Sequence, residues 1–203
     1  GLDVAPDGER LVMSLRSAEF DSYHLVEADL EAVDDGQACF TSEGDLGPAC
    51  RQLTFGPADD TRPVYLADGR IAFVRSHPWG PVDWQGRGRT RVLFAVEADG
   101  SGLRRLDYGP GHALGARPLP NGRIGLLRST QSRMTPRFVP LWVDPAGAQV
   151  QEVSGPDQAP QALAMEVQSD GAGGLLGACV ASAGTFQAGT ICHRDEDGDF
   201  AAI

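Results

Sequence analysis

The chain has 203 residues, enough for one large domain or two small ones, with Gly 26, Pro 14, 41% hydrophobic and 7% aromatic content. That balance fits a globular, turn-rich chain rather than a disordered one. A net charge of -11, with all seventeen basic residues arginine, argues against a general nucleic-acid-binding role, because phosphate binding needs a basic surface. No run of eighteen apolar residues is present, so no membrane span is expected. No signal peptide is present either, and a start at Gly1 rather than Met is what trimming, processing or a fragment would give.

In chain order, the first predicted unit is "DVAPDGERLVMSLRS" (3–17), two short apolar runs around Asp7-Gly8. A loop, "SAEFDS" (17–22), leads to "YHLVEADLE" (23–31), which is read as a strand because it falls in register with later strands. A segment of about twenty residues, "EAVDDGQACFTSEGDLGPAC" (31–50), interrupts the unit and holds Cys39 and Cys50. "RQLTF" (51–55) ends the unit, and "FGPADDTRP" (55–63) links it to the next.

The second unit pairs "RPVYLADGRIAFVRS" (62–76) with "RVLFAVEADGSGLRRLDYG" (91–109) across the long loop "SHPWGPVDWQGRGRT" (76–90). After the link "YGPGHALGARP" (108–118), the third unit pairs "ARPLPNGRIGLLRST" (116–130) with "PLWVDPAGAQVQEVSG" (140–155), across "STQSRMTPRFV" (129–139). The fourth pairs "AMEVQSDGAGGLLGACVAS" (164–182) with "GTICHRDEDGDFAAI" (189–203), across "SAGTFQAG" (182–189).

These units are copies of one another. Their first-turn glycines, Gly8, Gly69, Gly122 and Gly171, are spaced 61, 53 and 49 apart. The second-turn glycines Gly100, Gly147 and Gly198 are spaced 47 and 51 apart. Asp-Gly and Asn-Gly supply the positive φ that tight hairpin turns require, and the flanking Val, Ile, Leu and Phe runs have strand length. A period near fifty with four strands per unit predicts an all-β fold, a β-propeller of about four four-stranded antiparallel blades. The blade bounds are about 1–54, 55–107, 108–154 and 155–203, either as one domain or as part of a larger ring.

Pro63 to Phe73, followed by Leu93 to Leu106, resembles the TolB-type propeller repeat, and Arg51 to Phe55 resembles that family's outer strand. The order "YHLVEADLE", then "RQLTFGPADDTRPVYLADGRIAFV", is also similar to the propeller region of hydrazine synthase alpha-subunit-like proteins. The first resemblance implies a binding or assembly module of the bacterial cell envelope, periplasmic or extracellular, with a protein partner or self-association. The second implies a propeller domain or subunit of a larger enzyme. That family's haem chemistry does not carry over, because no CxxCH occurs here. TolB-type propellers usually have six or more blades and this chain has four repeats. Either four blades close alone, or the chain is part of a larger ring, or copies assemble.

Up-and-down strands put alternate connections on opposite faces. The Asp7-Gly8, Asp68-Gly69, Asn121-Gly122 and Asp99-Gly100 turns are tight, so the long loops and blade links share the other face, where binding residues usually sit; the insertion 31–50 between the third and fourth strands of the first blade breaks this asymmetry. The loop after Ser76 is the chief ligand-binding candidate, with His77, Trp79, Asp83, Trp84, Arg87 and Arg89. Two tryptophans beside two arginines suit aromatic, sugar or peptide contacts; the alternative is that the tryptophans plug the blade. Arg133 and Arg137 of the next loop would extend this rim, or else be solvated.

The four cysteines fall in two close pairs, and two disulfides, Cys39–Cys50 and Cys179–Cys192, are expected of an exported protein; buried thiols are the alternative. Asp195, Asp197 and Asp199 alternate around Gly198, as a calcium loop would. Calcium needs about six oxygens, including a later bidentate carboxylate. The register with Asp99-Gly100 makes this an acidic hairpin turn, with partial calcium coordination as the alternative and no other cofactor expected. No GxSxG, P-loop or strand-linked GxGxxG occurs, and the histidines are scattered. A non-catalytic role is therefore favoured. A channel enzyme would have to draw on His77, Asp83, Asp59, Asp60 or His112.

Overall fold

The computed structural model describes residues 1–16, 21–76, 89–119, 121–132, 135–147, 149–152, 167–169, 175–179, 190–194 and 200–202. The chain falls into two compact units, Gly1–Arg105 and Leu106–Ile203.

The first unit holds two four-stranded antiparallel meanders. One is β1 (Leu2–Val4), β2 (Arg10–Leu15), β3 (His24–Asp29) and, after a one-turn helix α1 (Leu30–Asp34), β4 (Cys50–Gln52). The other is β5 (Asp59–Tyr65), β6 (Ile71–Ser76), β7 (Arg91–Val96) and β8 (Arg104–Arg105). The second unit repeats the plan twice. Its third sheet is β9 (His112–Pro118), β10 (Ile124–Ser132), β11 (Thr135–Val143) and β12 (Val150–Glu152). Its fourth is β13 (Val167–Ser169), β14 (Leu175–Cys179), β15 (Thr190–Arg194) and β16 (Phe200–Ala202). Four sheets in which each strand pairs only with its sequence neighbours are the blades of a β-propeller.

One device makes four of the described tight turns. Gly8, Gly69, Gly100 and Gly122 have φ of 77°, 84°, 85° and 78°. The preceding Asp7, Asp68, Asp99 and Asn121 each accept a hydrogen bond from the backbone N–H two residues on, at 2.8–3.2 Å. The side chain thus mimics a turn of backbone while glycine supplies the left-handed step.

Two local features differ from the sequence expectation. The insertion after β3 opens with α1, because Asp29 caps it by accepting from the N–H of Ala32 at 3.0 Å. The segment Ser129–Val139, expected to be a long loop, is mostly strand: β10 and β11 stay paired out to Ser132 opposite Thr135. Its β-branched and aromatic residues, Thr130, Thr135, Phe138 and Val139, favour a pleated ladder over a loop.

The core of the first unit lies between its two blades. Ala5, Val12, Leu25 and Leu53 of the first blade pack on Tyr65, Ile71, Phe73 and Val96 of the second, with Phe94 alongside. Burial of each large aliphatic or aromatic side chain contributes about 1.5–3 kcal/mol. Inner strand β5 touches β1, β2 and β3, so the second blade is seated against the first through its inner strand.

Candidate functional site

Two buried carboxylates stitch the first two blades together, one at each end of their junction. At the tight-turn end, Glu27 of β3 is 4% exposed. It accepts from the Tyr65 hydroxyl at 2.9 Å and from Arg51 Nε and Nη2 at 2.9 and 2.5 Å, with Arg10 at 3.8 Å. Burial, then the hydrogen bond to Glu27, pushes the Tyr65 hydroxyl pKa well up from its ordinary value.

At the long-loop end, Asp60 of β5 is wholly buried. Arg75 of β6 meets it as a fork, Nε to Oδ1 at 2.6 Å and Nη2 to Oδ2 at 2.7 Å. The Arg75 guanidinium also lies over the Phe73 and Phe94 rings, at 5.6 and 5.5 Å from their centroids. Around this pair the blades exchange hydrogen bonds. Ser14 Oγ donates to the Asp60 carbonyl at 2.7 Å, Asp60 N donates to the Tyr23 carbonyl at 2.8 Å, and Tyr23 N donates to Asp59 Oδ1 at 3.0 Å. Buried His24 and Ser22 share a hydrogen bond at 3.2 Å through Nε2 and Oγ. Burial lowers the His24 pKa; Arg75 adds to that effect, and the carboxylates of Asp60 and Asp59 oppose it.

On this frame stand two exposed aromatic residues. The β3–β4 register ends with Val26 opposite Gln52, and hydrogen bonds beyond it still tie the two segments. Leu53 N donates to the Leu25 carbonyl, Thr54 Oγ1 accepts from Leu25 N, and Ser22 Oγ donates to the Gly56 carbonyl. Tyr23, just ahead of β3, and Phe55, just after β4, lie at the same end of this sheet and are 41% and 68% exposed. Gly56, at φ 98°, lets the chain turn from Phe55 into β5.

The second unit carries a counterpart in its own link. Leu53-Thr54-Phe55-Gly56-Pro57 and Leu106-Asp107-Tyr108-Gly109-Pro110 are the same pattern. Tyr108 is 70% exposed, as Phe55 is. Arg128, which follows β10's apolar run as Arg75 follows that of β6, is buried against Asp107. Asp107 also accepts from the N–H of Gly109 at 2.9 Å, and a Cβ at Gly109 would strike the Arg128 guanidinium.

The sequence candidates fall as follows. His77, Trp79, Asp83, Trp84, Arg87 and Arg133 lie outside the described residues, as do Asp195, Asp197 and Asp199. Arg89 is exposed just ahead of β7. Arg137 sits in β11 opposite Thr130, a strand position rather than a loop one. His112 opens β9, while Asp59 and Asp60 belong to the stitch described above. Among the described residues, no three His, Cys, Asp or Glu side chains converge to hold a metal ion.

Cys39 and Cys50 form a disulfide, with Cα atoms 4.8 Å apart. In the fourth blade Cys179 pairs with Thr190 and Cys192 with Gly177, which makes the two cysteines diagonal neighbours on one sheet face. Sequence reasoning missed Tyr23 and Phe55. The repeated Leu-x-aromatic-Gly-Pro link was the signal that could have found Phe55.

No family model matches the chain, and no curated protein does. Solved propellers do. An oligogalacturonate lyase in complex with manganese is 13% identical with a TM-score of 0.67, over 100% of this chain and 52% of that one. TolB from Acinetobacter baumannii is 14% identical with a TM-score of 0.61, over 100% and 42%. Kuenenia stuttgartiensis hydrazine synthase is 12% identical with a TM-score of 0.75, over 99% and 32%. The chain thus spans from a third to a half of the length of these three. Together with the four meanders, they show the fold: a β-propeller of the kind seen in TolB.

Proposed function

We propose that the chain is a non-catalytic propeller module of the bacterial cell envelope that holds a protein partner through its long-loop face. The observation that carries this reading is the asymmetry of the first unit. Its loop end sets exposed aromatics on a buried, interlocked polar frame, whereas its tight-turn end carries short Asx-Gly hairpins and the disulfide-closed insertion between β3 and β4. Rigid aromatic anchors lose little entropy on binding and are enriched where proteins meet. The Cys39–Cys50 disulfide supports an oxidising compartment, periplasmic or extracellular. Among the described residues, no helix is long and apolar enough to cross a membrane.

A second reading is a propeller domain of a larger enzyme, itself without a cofactor. It is favoured by the likeness to a hydrazine synthase chain of which this chain covers 32%. Photo-crosslinking in envelope extracts tests the first reading. A crosslinking residue replaces exposed Arg16 at the loop end or exposed Asp68 at the turn end. Protein adducts from position 16 and not from 68 are expected. Adducts from 68 alone, or from neither, would overturn the reading.

A further inference from the structure

We propose that the face of the first blade turned away from the second is an interface for a second copy of this chain, whose fourth blade seats on it. This goes beyond the loop-face reading and does not depend on it. The strand register defines the face. Asp3, Val12 and Leu25 belong to the side packed on the second blade: Asp3 Oδ2 accepts from Tyr65 N at 2.8 Å, and Val12 and Leu25 lie in the shared core. Strand alternation puts Leu2, Val4, Leu11, Met13 and Leu15 on the other side, with Leu2 opposite Met13 and Val4 opposite Leu11. All five are apolar. Leu2 and Val4 are 65% and 49% exposed, and the three residues of β2 are half-buried. A repeat face left to water is ordinarily polar.

The second blade shows what covers such a face. Val4 opposite Leu11 and Tyr65 opposite Ile71 are the first rungs behind the Asp7-Gly8 and Asp68-Gly69 turns. Val4, Leu11 and Met13 therefore hold the places of Tyr65, Ile71 and Phe73, which are 3%, 0% and 0% exposed. Those three are covered by the preceding blade, through Ala5, Val12, Leu25 and Leu53. The covering pattern recurs in the fourth blade. Ser169 opposite Leu175 is its matching rung, so the register gives Leu176 and Ile191 the places of Val12 and Leu25. One chain thus carries the uncovered half of a blade junction and, by register, a copy of the half that covers it. It also spans 52% of the oligogalacturonate lyase, so two copies hold about as many residues as that protein.

Light scattering of the full, oxidised chain tests this at up to about 100 µM. The expected particle holds two chains, and Leu2→Arg/Val4→Arg weakens it at least about tenfold. Both positions are exposed, so that variant keeps its fold. Phe55→Ser, equally exposed but at the loop end, leaves the mass unchanged. Leu176→Asp breaks the pair from the other side, and mixing it with Leu2→Arg/Val4→Arg restores a pair, because each copy lends its intact face. If Leu176→Asp does not fold, the first variant and Phe55→Ser still decide the outcome. Each copy carries a net charge of -11, so a pair held by apolar faces persists or tightens as salt screens the repulsion. A single chain throughout, a pair that survives Leu2→Arg/Val4→Arg, a folded Leu176→Asp that restores nothing, or a pair lost in Phe55→Ser or in salt would overturn the inference. The loop-face reading would stand in each case, since adducts at position 16 test it separately.

Discussion

The two ends of the first blade junction solve one problem differently. Each buries a carboxylate between the blades, and each must compensate its desolvation. At the turn end, Glu27 draws on a phenol and on two arginines, one of which, Arg51, is half exposed. At the loop end, the Asp60 carboxylate has a single side-chain partner among the described residues, Arg75, which is itself nearly buried. Water can replace an arginine at the turn end. Nothing can replace Arg75 without leaving a buried charge. The difference teaches that the loop end is the costlier construction. Its yield is geometry: it fixes the backbone under Tyr23 and Phe55.

The largest expected effect follows directly. Asp60→Ala strands Arg75 and should cost about 3–5 kcal/mol in urea unfolding, whereas Asp60→Leu combined with Arg75→Met should recover most of it. Equal losses for Asp60→Ala and Glu27→Ala would erase the contrast. The turn end also has a covalent staple on the insertion that β4 closes. Cys39→Ser/Cys50→Ser, or reduction, should cost about 2–3 kcal/mol for a loop of this length, read as the difference between oxidised and reduced unfolding curves. Glu27→Ala should cost about 2 kcal/mol, because Arg51 can turn to water.

A pH series separates the ends further. His24, at the loop end, has a folded pKa below its unfolded value of 6.5. Its neutral form is therefore the one that fits, and stability is full above 6.5. As pH falls below 6.5 the unfolded chain takes up the proton first, so stability should decline toward the lower folded pKa. His24→Asn should flatten that decline in thermal melts between pH 7 and 5, and an unchanged slope would remove His24 as its cause. The smallest effect on stability is expected for Phe55→Ser, within about 0.5 kcal/mol, because the ring is largely outside the core.

Much of the fold was legible because the first turn of each of the first three blades repeats one local device. Asp7-Gly8, Asp68-Gly69 and Asn121-Gly122 announce hairpins by chemistry that acts over three residues. The site was less legible because it is assembled by register. Tyr23 and Phe55 come to the same end of the blade only once β3 and β4 pair across a disulfide-closed insertion of about twenty residues, whose length hides the spacing. The acid partner of the repeated arginine also moves. Asp107 serves Arg128 from the link, whereas Thr54 holds the matching place in the first unit and Asp60 serves Arg75 from the strand. No period in the sequence records that exchange.

The central claim is that the loop end is a rigid frame built to present Tyr23 and Phe55. Amide hydrogen exchange of the free, oxidised chain tests it most directly. The account predicts that the amides of Tyr23 and Asp60, bonded to Asp59 and to the Tyr23 carbonyl, are protected to the level of Val12 and Phe73 in the strands. Exchange at these two amides as fast as at the exposed Asp7 and Asp68 turns would contradict it, and would make the exposed rings features of a loose loop.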